Sequence, residues 1–290
     1  MRRQSRTQRC FTRYLPKKTD PADSNKDAFI IKCPFLLPNF YSTITICLME
    51  KDIDINKAVR QHLEIDDFFT GGFTIRAKAS EPKLQQRDNA AFANAAAELE
   101  KIAAEVSRCR KCNLGSLRTN AVPGEGNPNA RILFVGEGPG ADEDAQGRPF
   151  VGRAGKLLDK IIAACGLKRS DVFIANILKC RPPENRDPRA DEIINCFPYL
   201  QRQIEIINPE IIVALGAPAA RTLLNTNKSI GQLRGQFYEY YAGLGSPPIK
   251  LMATYHTAYL LRNYSQENRK RVWEDMKKVL AELGLPIPQH

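Results

Sequence analysis

No stretch of this sequence approaches the ~18 consecutive apolar residues that a membrane-crossing helix needs, so no membrane span is expected. It has neither a Walker-type phosphate loop nor a Gly-x-Gly-x-x-Gly turn, so residue spacing gives no support to a bound nucleotide cofactor. There is no internal repeat, and histidine is scarce, with three in 290 residues. Nothing suggests secretion, and the chain is too long for a small loop-rich scaffold. Its eight cysteines are therefore not expected in disulfides. A reducing cytoplasm is the expected compartment.

What is present suits a globular protein. Apolar residues make up 43% and charged residues 26%, enough for one large core or two small ones. The net charge is +11, which favours a polyanionic partner such as nucleic acid. Residues 1–48 account for +6 of it, with nine Lys/Arg against three Asp. That stretch reads as a basic tail, or as sequence upstream of a later start at Met49; an Arg-rich transit peptide is the other reading. Residues 49–88 read as a short helical segment and a polar linker, and 89–290 as the working domain.

From Asp88, a plausible N-cap, an Ala-rich helix is expected with Leu99, Ile102 and Val106 on one face. Apolar runs at Ile132–Val135, Val172–Ile177, Ile211–Leu215 and Ile249–Ala253 read as buried parallel strands. Helical patterns follow at Ala154–Cys165, Ala190–Ile207, Pro218–Leu224 and Gln266–Leu283, and Gln236–Tyr241 reads as a small extra strand. This alternation predicts an α/β fold: a three-layer α/β/α sandwich around a central four-stranded, mainly parallel sheet. In such sheets the active site lies beyond the carboxyl ends of the strands.

Cys109, Cys112, Cys180 and Cys196 supply four thiolates, the donor set of a tetrahedral zinc or an iron–sulfur cluster. Cys165 reads instead as a buried helix position. The first strand ends in Gly136-Glu137-Gly138-Pro139-Gly140, followed by Asp142-Glu143-Asp144 and Gly147-Arg-Pro-Phe150-Val-Gly152-Arg153-Ala-Gly155. Its glycines let backbone N–H groups approach a ligand closely. The second strand ends in Asn176-Ile-Leu-Lys-Cys180, and an Asn on an apolar strand is costly unless paired. The fourth ends in Tyr255-His256-Thr257-Ala-Tyr-Leu260-Leu261-Arg262.

Taken together, the Gly-Glu-Gly-Pro-Gly-Ala-Asp-Glu-Asp, Gly-Arg-Pro-Phe-Val-Gly-Arg-Ala-Gly, Asn-Ile-Leu-Lys-Cys-Arg-Pro-Pro-Glu-Asn-Arg and Tyr-His-Thr-Ala-Tyr-Leu-Leu-Arg segments resemble the family 4 uracil-DNA glycosylases over about residues 90–285. The resemblance implies a monofunctional enzyme of base excision repair. It would flip uracil out of DNA and hydrolyse its N-glycosidic bond. It implies that Phe150 stacks on the base and Asn176 reads its O4/N3–H edge. His256 would donate to O2, with Gly138 adding space and backbone donors. Glu137 is the first choice for orienting the attacking water and Glu143 the second, because Gly138 stands where better-known relatives carry Asp.

The same resemblance makes the His256–Arg262 segment a DNA-intercalating loop, with Leu260 or Leu261 as the wedge and Arg262 on a phosphate. Thr257 departs from the Pro usual after this His. Arg153, Asn185, Lys156, Arg181, Arg186 and Arg234 are candidate DNA contacts. The cysteine set corresponds to a structural 4Fe–4S cluster, with zinc as rival. The partner is uracil-containing DNA, and the protein is expected to act as a monomer. A glycosylase for other deaminated bases and a non-catalytic DNA-binding iron–sulfur protein are the competing readings. The 181–189 loop holds no His, which argues against the covalent chemistry of a related branch, and no nucleophilic lysine suggests lyase activity.

Overall fold

The computed structural model of the protein describes residues 89–288, apart from Leu244. The basic tail expected over 1–48 and the segment expected over 49–88 lie outside the described residues, and so does the proposed cap Asp88. The first helix, α1 (Asn89–Arg108), buries Leu99, Ile102 and Val106 as their spacing requires, and it delivers the chain to Cys109. A one-turn helix α2 (Leu114–Leu117) and a two-residue strand β1 (Glu125–Gly126) follow.

The αβ alternation then unfolds in order: β2 (Ile132–Gly136), α3 (Ala141–Gln146), α4 (Arg153–Ala164), β3 (Phe173–Asn176), α5 (Ala190–Ile207), β4 (Ile211–Leu215), α6 (Ala217–Leu224), α7 (Ile230–Leu233), β5 (Phe237–Tyr240), β6 (Ile249–Thr254), α8 (Thr257–Arg262) and α9 (Gln266–Glu282). The strands form one six-stranded sheet in the order β1-β3-β2-β4-β6-β5. The four expected strands are its parallel centre. The sheet is wider than four because β1 and β5 add antiparallel edges. β1 is too short to show a pattern in sequence. β5 is the segment expected around Gln236–Tyr241.

The layers follow from side-chain alternation. Every residue of β2, β3 and β4 is buried, as expected for strands covered on both faces. Ile132 and Phe134 point into one core with Leu158 and Ile161 of α4 and Val272, Met276 and Val279 of α9. Leu133 and Val135 point into the opposite core with Leu200, Ile204 and Ile207 of α5 and Leu223 of α6. Each fully buried aliphatic side chain contributes about 1.5–3 kcal/mol. The result is the expected three-layer sandwich. No helix among the described residues is long and apolar enough to cross a membrane.

Strands β3 and β4 lie on opposite sides of β2, so the chain direction across the sheet reverses there. The loops leaving β2 and β4 therefore part from each other and open a crevice at the carboxyl edge.

Candidate active site

A cleft of about 320 Å³ occupies that crevice. Its walls come from the loop after β2 (Glu137–Gly140), the loop after β3 (Pro182, Asn185, Arg186), the start of α6 (Gly216–Pro218) and the end of β6 with α8 (Tyr255, His256, Tyr259, Arg262). The sequence pointed to three of these four walls. The Gly-Ala-Pro turn after β4 was missed, because a short apolar turn carries no chemical signature; Tyr255 and Tyr259 stand in the fourth strand-end motif but had no role assigned.

Asn176 and Phe150 meet against Gly136, the last residue of β2. A Cβ at Gly136 would stand 2.4 Å from Asn176 Oδ1 and 2.6 Å from the Phe150 ring, so the position admits no side chain. Asn176 is 2% exposed, and its Oδ1 has no hydrogen-bond partner. A buried acceptor without a donor costs about 1–3 kcal/mol. Such groups are rare in native proteins, and an ordered water or a ligand is the usual partner of one; neither Asn176 nor Phe150 is among the residues that wall the cleft.

Phe150 takes a left-handed backbone conformation at φ 51, which a bulky residue adopts only when its surroundings impose it. Three features do so. Arg169 donates to the carbonyls of Pro149 (2.5 Å) and Phe150 (3.2 Å). Glu143 Oε1 accepts the N–H groups of Val151 (2.8 Å) and Gly152 (2.9 Å), and Oε2 accepts that of Gly140 (3.0 Å). Gly155 lets the first turn of α4 sit on the loop, since a Cβ there would fall 1.9 Å from the Phe150 carbonyl oxygen. Glu143, expected as an alternative water-orienting group, has its two oxygens engaged by backbone. Its geometry is that of a clamp for the Phe150 loop.

His256 caps α8, and its Nδ1 accepts the Ala258 N–H at 3.0 Å. In the neutral ring the proton therefore sits on Nε2, as a donor. Burial and then the nearby Arg262 charge lower its pKa from 6.5 to about 4, so the ring stays neutral near pH 7. Its ring lies 5.6 Å from that of Phe150. Glu137 lines the same cleft. Burial and then Asp187 raise its pKa above the ordinary value, while Arg262 works against them.

The expected DNA contacts divide. Arg153 and Lys156 are exposed at the start of α4, outside the cleft walls. Asn185, Arg186 and Arg262 line the cleft. Arg181 donates to Asn185 Oδ1 at 2.8 Å, and Arg186 forms a two-point pair with buried Glu192. Two expectations are corrected. Leu260 is 1% exposed and packs in the α4/α9 core, so it cannot be a wedge; Leu261 is half-buried and packs against the rim of the same core. Arg234 is no phosphate contact, because it pairs at 2.6 Å with fully buried Asp275, which also accepts from Thr254 Oγ1 just below His256.

Behind the β3 loop, all four expected cysteines line one small cavity, with Val106 and Tyr199 beside them. All are free thiols. No group of three or more His, Cys, Asp or Glu among the described residues is placed to hold a single ion. Arg118 donates to Cys180 Sγ at 2.9 Å and the Lys179 N–H to Cys196 Sγ at 3.1 Å, donors that suit anionic sulfur. The donor set, the apolar wall and these N–H groups fit a cluster.

The sequence profile of the uracil DNA glycosylase superfamily matches residues 123–277, from just before β1 into α9. The chain belongs to the uracil DNA glycosylase superfamily. Among curated proteins, the type-4 uracil-DNA glycosylase of Saccharolobus solfataricus is 50% identical over 191 residues, 64% of this chain and 87% of that one. The type-4 enzyme of Thermotoga maritima is 48% identical over 181 residues, 62% of this chain and 92% of that one. A type-5 uracil-DNA glycosylase of Pyrobaculum aerophilum is more distant, at 31% over 178 residues, 56% and 76% of the two chains. The superfamily match takes in the whole cleft, together with Cys180 and Cys196, while Cys109 and Cys112 lie before it.

Proposed function

We propose that the protein is a uracil-DNA glycosylase. It takes uracil out of the stack, hydrolyses its N-glycosidic bond and leaves an abasic site for base excision repair. The observation that carries this reading is the unpartnered, buried Oδ1 of Asn176 beside the Phe150 ring and the His256 donor. An open acceptor there takes the N3–H of uracil. Cytosine presents a lone pair at N3, so it would leave two acceptors facing each other in a buried site, the strong kind of rejection. The names of the type-4 relatives support the same substrate.

In this reading Phe150 covers the face of the base. The Nε2–H of His256 donates to uracil O2, where negative charge grows as the glycosidic bond breaks and the base leaves as an anion. A neutral donor in a buried site stabilises that charge by several kcal/mol, about 3 for one good donor. Glu137 orients the water whose oxygen bonds to the sugar carbon, and the water's proton balances the departing anion. Gly138 adds room for the base edge. Asn185, Leu261, Arg262 and Arg153 meet the DNA. Cys109, Cys112, Cys180 and Cys196 would hold a 4Fe–4S cluster that ties α1 to the segment after β3. When bound it supplies structural cross-linking, since the hydrolysis transfers no electrons. The protein acts as a monomer in the cytoplasm.

The test is release of free uracil from a uracil-containing oligonucleotide. Asn176→Ala and His256→Ala should each lose it, and unchanged activity in both would sink the site assignment. Release of hypoxanthine in preference to uracil would favour the other-base reading. Binding to DNA without any base release would favour the non-catalytic one.

A further inference from the structure

The strand end that carries Asn176 is held from behind by a buried lysine. Strand β1 pairs only with Phe173 and Ile174 and stops before Asn176. On the other side, the N–H of Ile177 donates to Gly136 at 2.9 Å. Successive residues of a strand face opposite neighbours, so the Asn176 carbonyl turns toward the side where no strand continues. The side chain of Lys179 fills that gap. Its Nζ donates to the Asn176 carbonyl at 3.0 Å and to Gln203 Oε1 at 2.6 Å, and Gln203 Nε2 donates to the Pro123 carbonyl at 2.8 Å.

Lys179 is 1% exposed and Gln203 2%. Burying an amine costs far more than burying an aliphatic chain, so solubility does not explain it. The same segment also holds the Glu137 loop, one wall of the cleft. The Leu178 N–H donates to the Glu137 carbonyl at 2.9 Å, and the Lys179 carbonyl accepts from the Val122 N–H at 2.8 Å. A shift at Lys179 therefore moves Asn176 and Glu137 together.

We propose that Lys179, acting with Gln203, is a positioning residue for base release: it sets the direction of the Asn176 amide and the height of the Glu137 loop. This rests on the reading of Asn176 as the residue that recognises uracil. The experiment compares the unmodified protein with Asn176→Ala, Lys179→Met and Lys179→Met/Gln203→Met. It measures steady-state uracil release, inhibition by free uracil and thermal unfolding on the same samples. Lys179→Met should lower kcat about tenfold or more, with KM changing less, and should weaken inhibition by free uracil, because small misplacements of reacting groups cost large factors in rate. The double variant also takes the donor from the Pro123 carbonyl and still leaves the Asn176 carbonyl without one, so it should be no more stable than Lys179→Met, and its kcat should stay low. Recovery of kcat in the double variant, or an unchanged kcat in Lys179→Met, overturns the proposal. Unchanged release in Asn176→Ala overturns the reading of Asn176 instead, so the two failures are distinct.

Discussion

The Ala258 N–H donates to Nδ1 of His256 at 3.0 Å, so the backbone of α8 chooses which nitrogen of that imidazole carries its proton. The donor face, Nε2–H, is left for the cleft. Burial and the neighbouring Arg262 keep the ring neutral down to about pH 4.

His256→Ala should therefore lower kcat by roughly 100-fold, the loss of one good donor to a developing anion. The unmodified protein should show no loss of activity from histidine protonation near pH 6.5. The stability effect has the opposite character. The unfolded chain takes up this proton near 6.5 and the folded chain only near 4. Stability from this group is thus intact above 6.5 and falls as pH drops toward 4. Denaturant midpoints at neutral and mildly acidic pH should lie closer together in His256→Ala than in the unmodified protein.

Burial raises the pKa of Glu137 most, Asp187 adds to it and Arg262 opposes it. If ionised Glu137 orients the water, Asp187→Asn should move the acid limb of the rate profile to lower pH, and Glu137→Gln should remove most activity, about 100-fold or more. A limb that stays in place in Asp187→Asn would show that Glu137 does not set it.

Glu143 should behave as a clamp. Glu143→Ala leaves three backbone N–H groups without their acceptor and should cost about 1–3 kcal/mol of stability. Glu143→Gln keeps an acceptor oxygen and should retain a large part of both stability and rate. Equal loss of kcat in the two variants, with folding intact, would restore Glu143 as a water-orienting residue.

Arg234→Ala leaves Asp275 buried without its partner. Breaking such a pair should cost about 3–5 kcal/mol, read from denaturant unfolding. The salt dependence of DNA binding should be unchanged, whereas loss of a true phosphate contact would reduce its slope by about one.

Cys180→Ala should lose the visible absorption expected of an iron–sulfur cluster and weaken uracil release or folding, because Cys180 lies in the segment that also carries Lys179 and Asn176. Full activity and full colour in that variant would remove both claims.

Much of this was legible in one dimension. The central strands are continuous apolar runs because both faces are covered, and the loops at their ends carry Gly, Asn and His where apolar packing would not place them. Other roles were hidden in pairings. Leu260 and Leu261 are identical in type and adjacent, and only the rotation of α8 buries one fully and leaves the other at the rim of the same core. Arg234 and Arg153 look alike until one is found beside Asp275. Nothing in the acidic Asp142-Glu143-Asp144 run tells its members apart, yet Asp144 is buried and accepts the Thr119 N–H, while Glu143 clamps the Phe150 loop.

Periodicity and residue type are local properties, so the three-layer αβ architecture, the strand ends that surround the candidate site and the four-thiol set could be read along the chain. The tertiary structure alone decided that Gly136 brings Asn176 and Phe150 together, that α8 sets the tautomer of His256, and that Lys179 reaches the Asn176 carbonyl where β1 ends. Those depend on which donor meets which acceptor across the sheet, and hydrogen bonding over a few ångströms leaves no trace in the spacing of residues along the chain.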